Sequence, residues 1–295
     1  MTKRKSNIKG MSLAIPLLIL FGIALFYIYT VAPIEQTKQS AVWNMLLLGI
    51  GVGGVIYLKD IPIFKSFFSS KSASDSLDYL NLGVVYGVIG IVLVSFLMNG
   101  VVALNNFSGS VGPENLAAIS GLSAVFTVFV QPLSETIMAF LIILPLYVII
   151  QSRTKHHPMA ICLIIFAILF AGFHYTTRGI GFYEFSPVGM FNFVFDTTGY
   201  GTTAFHGALP LLLLGMFWLG LGIIYKNFYI AAGAHLSNNL VALYVNPNLS
   251  ADVVGLLNLI VIILAINFVI SILHGRLKKI GKVDFTRLDE LRVRV

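Results

Sequence analysis

The sequence predicts an all-α, multi-pass membrane bundle of about eight transmembrane helices with both termini cytoplasmic. Three observations carry that prediction. Of the 295 residues, 57% are hydrophobic and only 11% charged, a balance outside the range of soluble domains. Apolar stretches long enough to cross ~30 Å of hydrocarbon recur along the whole length. Basic residues also fall on alternate connections, as the positive-inside rule requires.

The first stretch, about residues 12–32, follows the basic start Lys3, Arg4, Lys5 and Lys9. Its apolar core is longer than that of a signal peptide, and Pro33 would follow the cut, so it reads as an anchor. Further stretches lie at about 41–58, 80–104, 117–151, 159–176, 207–225, 228–245 and 252–273, with boundaries good to a few residues. With a cytoplasmic N-terminus, 17 of the 19 Lys and Arg face inward, and only Lys38 and Arg178 face outward. An error of one span would scramble this alternation, so the net charge of +7 is an orientation signal rather than a nucleic-acid footprint. Residues 1–11 are then a basic cytoplasmic N-terminus, 12–273 one membrane domain, and 274–295 a basic cytoplasmic tail.

Among the connections, residues 59–79 read as a polar, mobile cytoplasmic loop and 105–116 as a short outer loop. Thr176 to His206 is rich in Gly, Thr and aromatics and almost uncharged. It reads equally well as an outer lid or as a loop ordered on the membrane surface. GIGVGG at 49–54 lies inside an apolar stretch and signals close helix packing rather than a dinucleotide loop. Asn106 and Asn248 stand in glycosylation sequons that matter only in a secretory pathway. Cys162 is the sole cysteine, which excludes a disulfide framework or a thiolate metal cluster and fits a small core residue. His156, His157 and His274 sit at helix ends or in a basic loop and read as solvated.

Three apolar stretches carry groups that lipid disfavours: Glu135 in one, His174 in the next, and His235 with Asn239 in a third. Each costs at least a few kcal/mol if it faces hydrocarbon, so together they point to a protein-lined site. The bland alternative is polar glue between helices. Residues four apart share a helix face, which aligns His235 with Asn239 and Phe170 with His174. Counted at 1.5 Å per residue, Glu135 and His174 both lie ~24 Å from the inner boundary, whereas His235 lies only ~13 Å from it. Tilt, a break at Gly233 or a displaced helix start would close that gap. A buried glutamate held against an imidazole is a competent base for activating water. A second imidazole and a carboxamide can then donate to a developing oxyanion. The same inventory makes a His₂Glu set (Glu135, His174, His235) for a catalytic zinc, although no HExxH motif is present.

These segments resemble the CAAX prenyl protease and bacteriocin-processing (CPBP, or Abi) family of intramembrane endopeptidases. That family carries a proline three residues before EExxxR, then FxxxH, then HxxxN. Here Pro132 precedes Glu135, Phe170 to His174 matches FxxxH, and His235 to Asn239 matches HxxxN. The likeness runs from about residue 80 to 245. Thr136 stands where the second glutamate is expected, and Phe140 where the arginine is. The resemblance implies that Glu135 and His174 activate water and that His235 and Asn239 stabilise the oxyanion. No cofactor is then required. The substrate is a peptide or prenylated protein, within the cell membrane of a prokaryote. An inactive scaffold of the same fold, or a proton-coupled transporter, are the competing readings; no paired broken helices favour the transporter.

Overall fold

A computed structural model describes residues 36–58, 62–68, 73–99, 126–154, 157–177, 208–244 and 250–276. The predicted first span at 12–32, the 105–116 loop, Asn106, Asn248, His156, the Arg178–His206 stretch and the tail beyond Arg276 lie outside those residues. Among the described residues every regular element is a helix, with no strand. The helices are α1 (Gln36–Leu58), α2 (Pro62–Phe68), α3 (Ala73–Asn99), α4 (Gln131–Arg153), α5 (Pro158–Thr177), α6 (Ala208–Ile224), α7 (Phe228–Tyr244) and α8 (Ala251–Leu273). A π-helical turn, Phe126–Val130, runs directly into α4. Where its residues are described, every predicted stretch from 41–58 onward is helical. Among the described residues three segments are long and apolar enough to cross a membrane: Ala73–Val94, Val128–Gln151 and Ala251–Leu273. Shorter apolar helices occupy Met45–Leu58, Pro158–Phe170 and Leu211–Ile224.

α7 sits at the centre, packed on α3, α4 and α6, with α8 and the π turn against its far end. Its seam with α3 is built from small residues. A Cβ on Gly83 would strike the Ile230 carbonyl, one on Gly87 the Ser237 hydroxyl, and one on Gly233 the Leu80 carbonyl. Without side chains at these points the two backbones touch, as small-xxx-small faces allow. Gly233 therefore serves close approach, and α7 is continuous through it. GIGVGG divides in the same way. Gly51 and Gly54 face Ile137 and Leu141 of α4, while Gly49 and Gly53 face open space.

The predicted loop at 59–79 is corrected in two places. Residues 62–68 form α2, whose Phe64 and Phe67 are buried, and α3 begins as early as Ala73. Phe67 packs on Phe140 at 5.3 Å between ring centroids, and Phe68 stacks on Phe228 at 4.9 Å. Such pairs add ~0.5–1.5 kcal/mol each beyond the apolar area they bury.

This aromatic cluster also explains how His235 reaches the depth of Glu135. α6 ends in a Schellman-type turn: Asn227 N–H donates to the Gly222 carbonyl and Lys226 N–H to that of Ile223. Lys226 occupies the left-handed region at φ 47°, the position usually given to glycine. Asn227 then caps α7, its Oδ1 accepting from the N–H groups of Tyr229 (2.8 Å) and Ile230 (3.3 Å). Asn227 and Phe228 are both buried, and Phe228 meets Phe140 edge-on at 6.1 Å. Phe140 lies about 13 residues before the end of α4, so α7 starts roughly 20 Å above that end. α2 packs there through Phe67 and Phe68, against Phe140 and Phe228. The gap expected from residue counting is absorbed by this deep turn.

Candidate active site

The π turn and Pro132 open α4, so Glu135 stands one turn inside a helix that begins with a widened backbone. Such π turns recur at functional sites. Gln131, one turn earlier on the same face, donates from Nε2 to Glu135 Oε1 at 2.9 Å. The other carboxylate oxygen, Oε2, is buried without a hydrogen-bond partner and lies 3.3 Å from His235 Nε2. His235 is held from three sides. Its Nδ1 shares a hydrogen bond of 3.2 Å with the Thr136 hydroxyl. Trp218 of α6 lies flat on the ring at 4.6 Å with an interplanar angle of 11°. Phe170 of α5 meets it edge-on at 5.8 Å. The imidazole is thus fixed in plane and rotation, with Nε2 directed toward the carboxylate.

Of the four residues predicted for the site, the structure brings Glu135 and His235 together. Asn239 lies one turn beyond His235 on α7 and is partly buried. His174 lies one turn beyond Phe170 on α5, and its side chain is outside the described residues. Gln131, Thr136 and Trp218 were not predicted for the site. Cys162 is buried as expected, and His157 and His274 are exposed.

The two departures from the CPBP pattern have structural counterparts. Thr136, fully buried, presents a hydroxyl to the His235 imidazole where the pattern has a second carboxylate. Phe140, also fully buried, joins Phe67, Phe68 and Phe228 in an aromatic cluster. An uncharged pair, one hydrogen-bonding and one packing, occupies the positions of the expected ion pair. It avoids the desolvation cost of two buried charges.

The zinc alternative finds two ligand atoms. Oε2 and Nε2 at 3.3 Å match the edge of a tetrahedron with metal bonds of ~2.0–2.1 Å. Gln131 and Thr136 stand where outer partners of metal ligands stand. Among the described residues no third His, Cys, Asp or Glu joins them.

Set against family models, curated proteins and solved structures, the chain matches none.

Proposed function

We propose that the chain is an intramembrane endopeptidase of the CAAX prenyl protease-like type, hydrolysing a peptide bond with a water activated by Glu135. The observation that carries this reading is the approach of Glu135 Oε2 to His235 Nε2, 3.3 Å apart, from helices distant in sequence. Intramembrane ionisable residues are costly and are kept for function, and this pair is oriented from both sides by Gln131 and Thr136. In the reaction, Oε2 removes a proton from water as its oxygen attacks the scissile carbonyl. The tetrahedral oxyanion accepts hydrogen bonds from His235 and from the Asn239 carboxamide, and the proton passes to the departing amine. His174 shares in activating the water. The substrate is a peptide or prenylated protein presented at the membrane. The matching tetrahedral edge favours a second reading, in which Glu135, His174 and His235 hold a zinc whose bound water is the nucleophile.

Asn239→Ala tests the proposal. On one cleavable peptide, kcat should fall ~10²–10³-fold with KM nearly unchanged, because the lost donor acts on the transition state. Unfolding of the variant, with residual activity that tracks the folded fraction, would make Asn239 structural glue. A chelator arm separates the two mechanisms: activity that disappears with chelator and returns on adding zinc assigns the metal. Activity indifferent to chelator assigns the metal-free glutamate.

The proposal includes eight spans, both termini cytoplasmic, in the cell membrane of a prokaryote. The 17-to-2 distribution of basic residues supports this. Cysteines introduced at Ser72 and Ser250 should react with an impermeant thiol reagent from opposite sides. Labelling of both from one side would overturn the topology.

A further inference from the structure

A second polar site lies between α3 and α8, formed by residues unconnected to Glu135. Asp78, near the start of α3, is buried and accepts a hydrogen bond from the Ser271 hydroxyl through Oδ1. Its other oxygen, Oδ2, makes no hydrogen bond, and Arg276 Nη1 stands off at 3.7 Å. Asp78 opposite Ser271 and Arg276 sets the antiparallel register of the two helices. One turn inward along α3 is Asn81, and one turn back along α8 is Asn267, so these two carboxamides occupy the same seam. Asn81 is 2% exposed, with neither amide atom hydrogen-bonded. Asn267 Nδ2 is likewise buried and unbonded.

Each buried polar atom left unsatisfied costs ~1–3 kcal/mol. Four of them lie on α3 and α8, and two, Asp78 Oδ2 and Asn81 Oδ1, are acceptors that a cation would satisfy. We infer that the α3–α8 seam binds a small monovalent cation of sodium size. Its ligands are Asp78 Oδ2, Ser271 Oγ, Asn81 Oδ1 and, after rotation of its amide, Asn267 Oδ1. All four are hard oxygen donors of the kind that alkali and alkaline-earth ions take. The charge selects between those classes. One carboxylate, once the ion displaces Arg276 from it, balances a single positive charge, whereas calcium sites gather several carboxylates. The hydroxyl of Ser271 donates to Asp78 and keeps its lone pairs for the ion. Arg276, one-third exposed, then competes with the cation for the carboxylate.

That competition gives the test its sign. The full chain in detergent is melted in sodium chloride and in choline chloride at equal ionic strength. Sodium should raise Tm by roughly 3 °C per tenfold concentration above half-saturation, and choline should not. Asn81→Leu should abolish the difference. Arg276→Gln should enlarge it and lower the half-saturating sodium at least threefold, whereas an ion pair serving stability alone predicts only a lower Tm in both salts. If Asn81→Leu does not fold, Ser271→Ala takes its place and should raise half-saturating sodium about tenfold. Equal melting in both salts overturns the proposal and leaves the seam to ordered water. A sodium effect unchanged in Asn81→Leu or Ser271→Ala overturns it as well, by placing the ion elsewhere. No outcome depends on peptide cleavage, so the endopeptidase reading stands or falls separately.

Discussion

Glu135→Gln is expected to lower peptide cleavage by about 10²–10⁴-fold, the usual contribution of a positioned general base, while the protein remains folded. The carboxamide keeps the shape of the carboxylate. Its oxygen can still accept from Gln131 Nε2, which holds Oε1 in the native chain. What disappears is the basic oxygen facing His235 Nε2. The measurement is turnover of one peptide by purified variants, with folding read from thermal melting in detergent. Glu135→Ala adds a small cavity but should be equally inactive. Full activity in Glu135→Gln would exclude Glu135 as the base, whereas no cleavage by the native chain itself would make a partner-binding scaffold the better reading.

The second large effect falls on stability. At Gly233 a methyl group would run into the Leu80 carbonyl, and backbone cannot swing aside as a side chain can. Gly233→Ala should therefore destabilise by ~3 kcal/mol, at the upper end for overpacking. Gly255→Ala is the control. Nothing lies within 4 Å of its added carbon, and replacing a mid-helix glycine should be neutral or slightly stabilising. Since Gly233 is two residues from His235, any surviving fold should also lose activity, because a 1 Å displacement at a site can cost ~10²-fold. Equal melting temperatures for the two variants would show that the α3–α7 seam is looser than its glycines imply.

The helical class and the position of most elements were legible because hydrophobic length is a strong signal. Glu135 and His235 were each legible as site candidates because polarity inside apolar helices stands out, but their pairing was not, since counting put Glu135 level with His174 and His235 about two turns short. Other features had weaker signals. Gln131 could have been found by counting one turn back from Glu135. Thr136 registered only as a departure from a motif, since a hydroxyl that orients an imidazole looks like any other threonine. Trp218 sits on a helix apolar on every side, where sequence cannot tell core packing from ring stacking. α2 escaped because seven residues, PIFKSFF, are too short to show a period and are flanked by Ser and Lys. Placing 59–79 in a loop also hid Asp78, which belongs to a helix that begins at Ala73.

α2 also has a consequence for biosynthesis. Ribosomes deliver a chain from its N-terminus at ~5–20 residues per second, so Phe67 and Phe68 are made well before either of their partners. Phe140 follows after roughly 4–14 seconds of synthesis and Phe228 after roughly 8–32 seconds, on the same elongation rates. Through that interval an amphiphilic heptapeptide has no pocket to enter, and the headgroup region is the natural place for its aromatic rings to wait. The wedge beneath the α6–α7 turn can be driven home only when the seventh helix has arrived. Completion of the bundle, rather than insertion of its early helices, is then the event that brings His235 level with Glu135, so a nascent chain would carry no assembled Glu135–His235 pair while its own hydrophobic segments are still threading past.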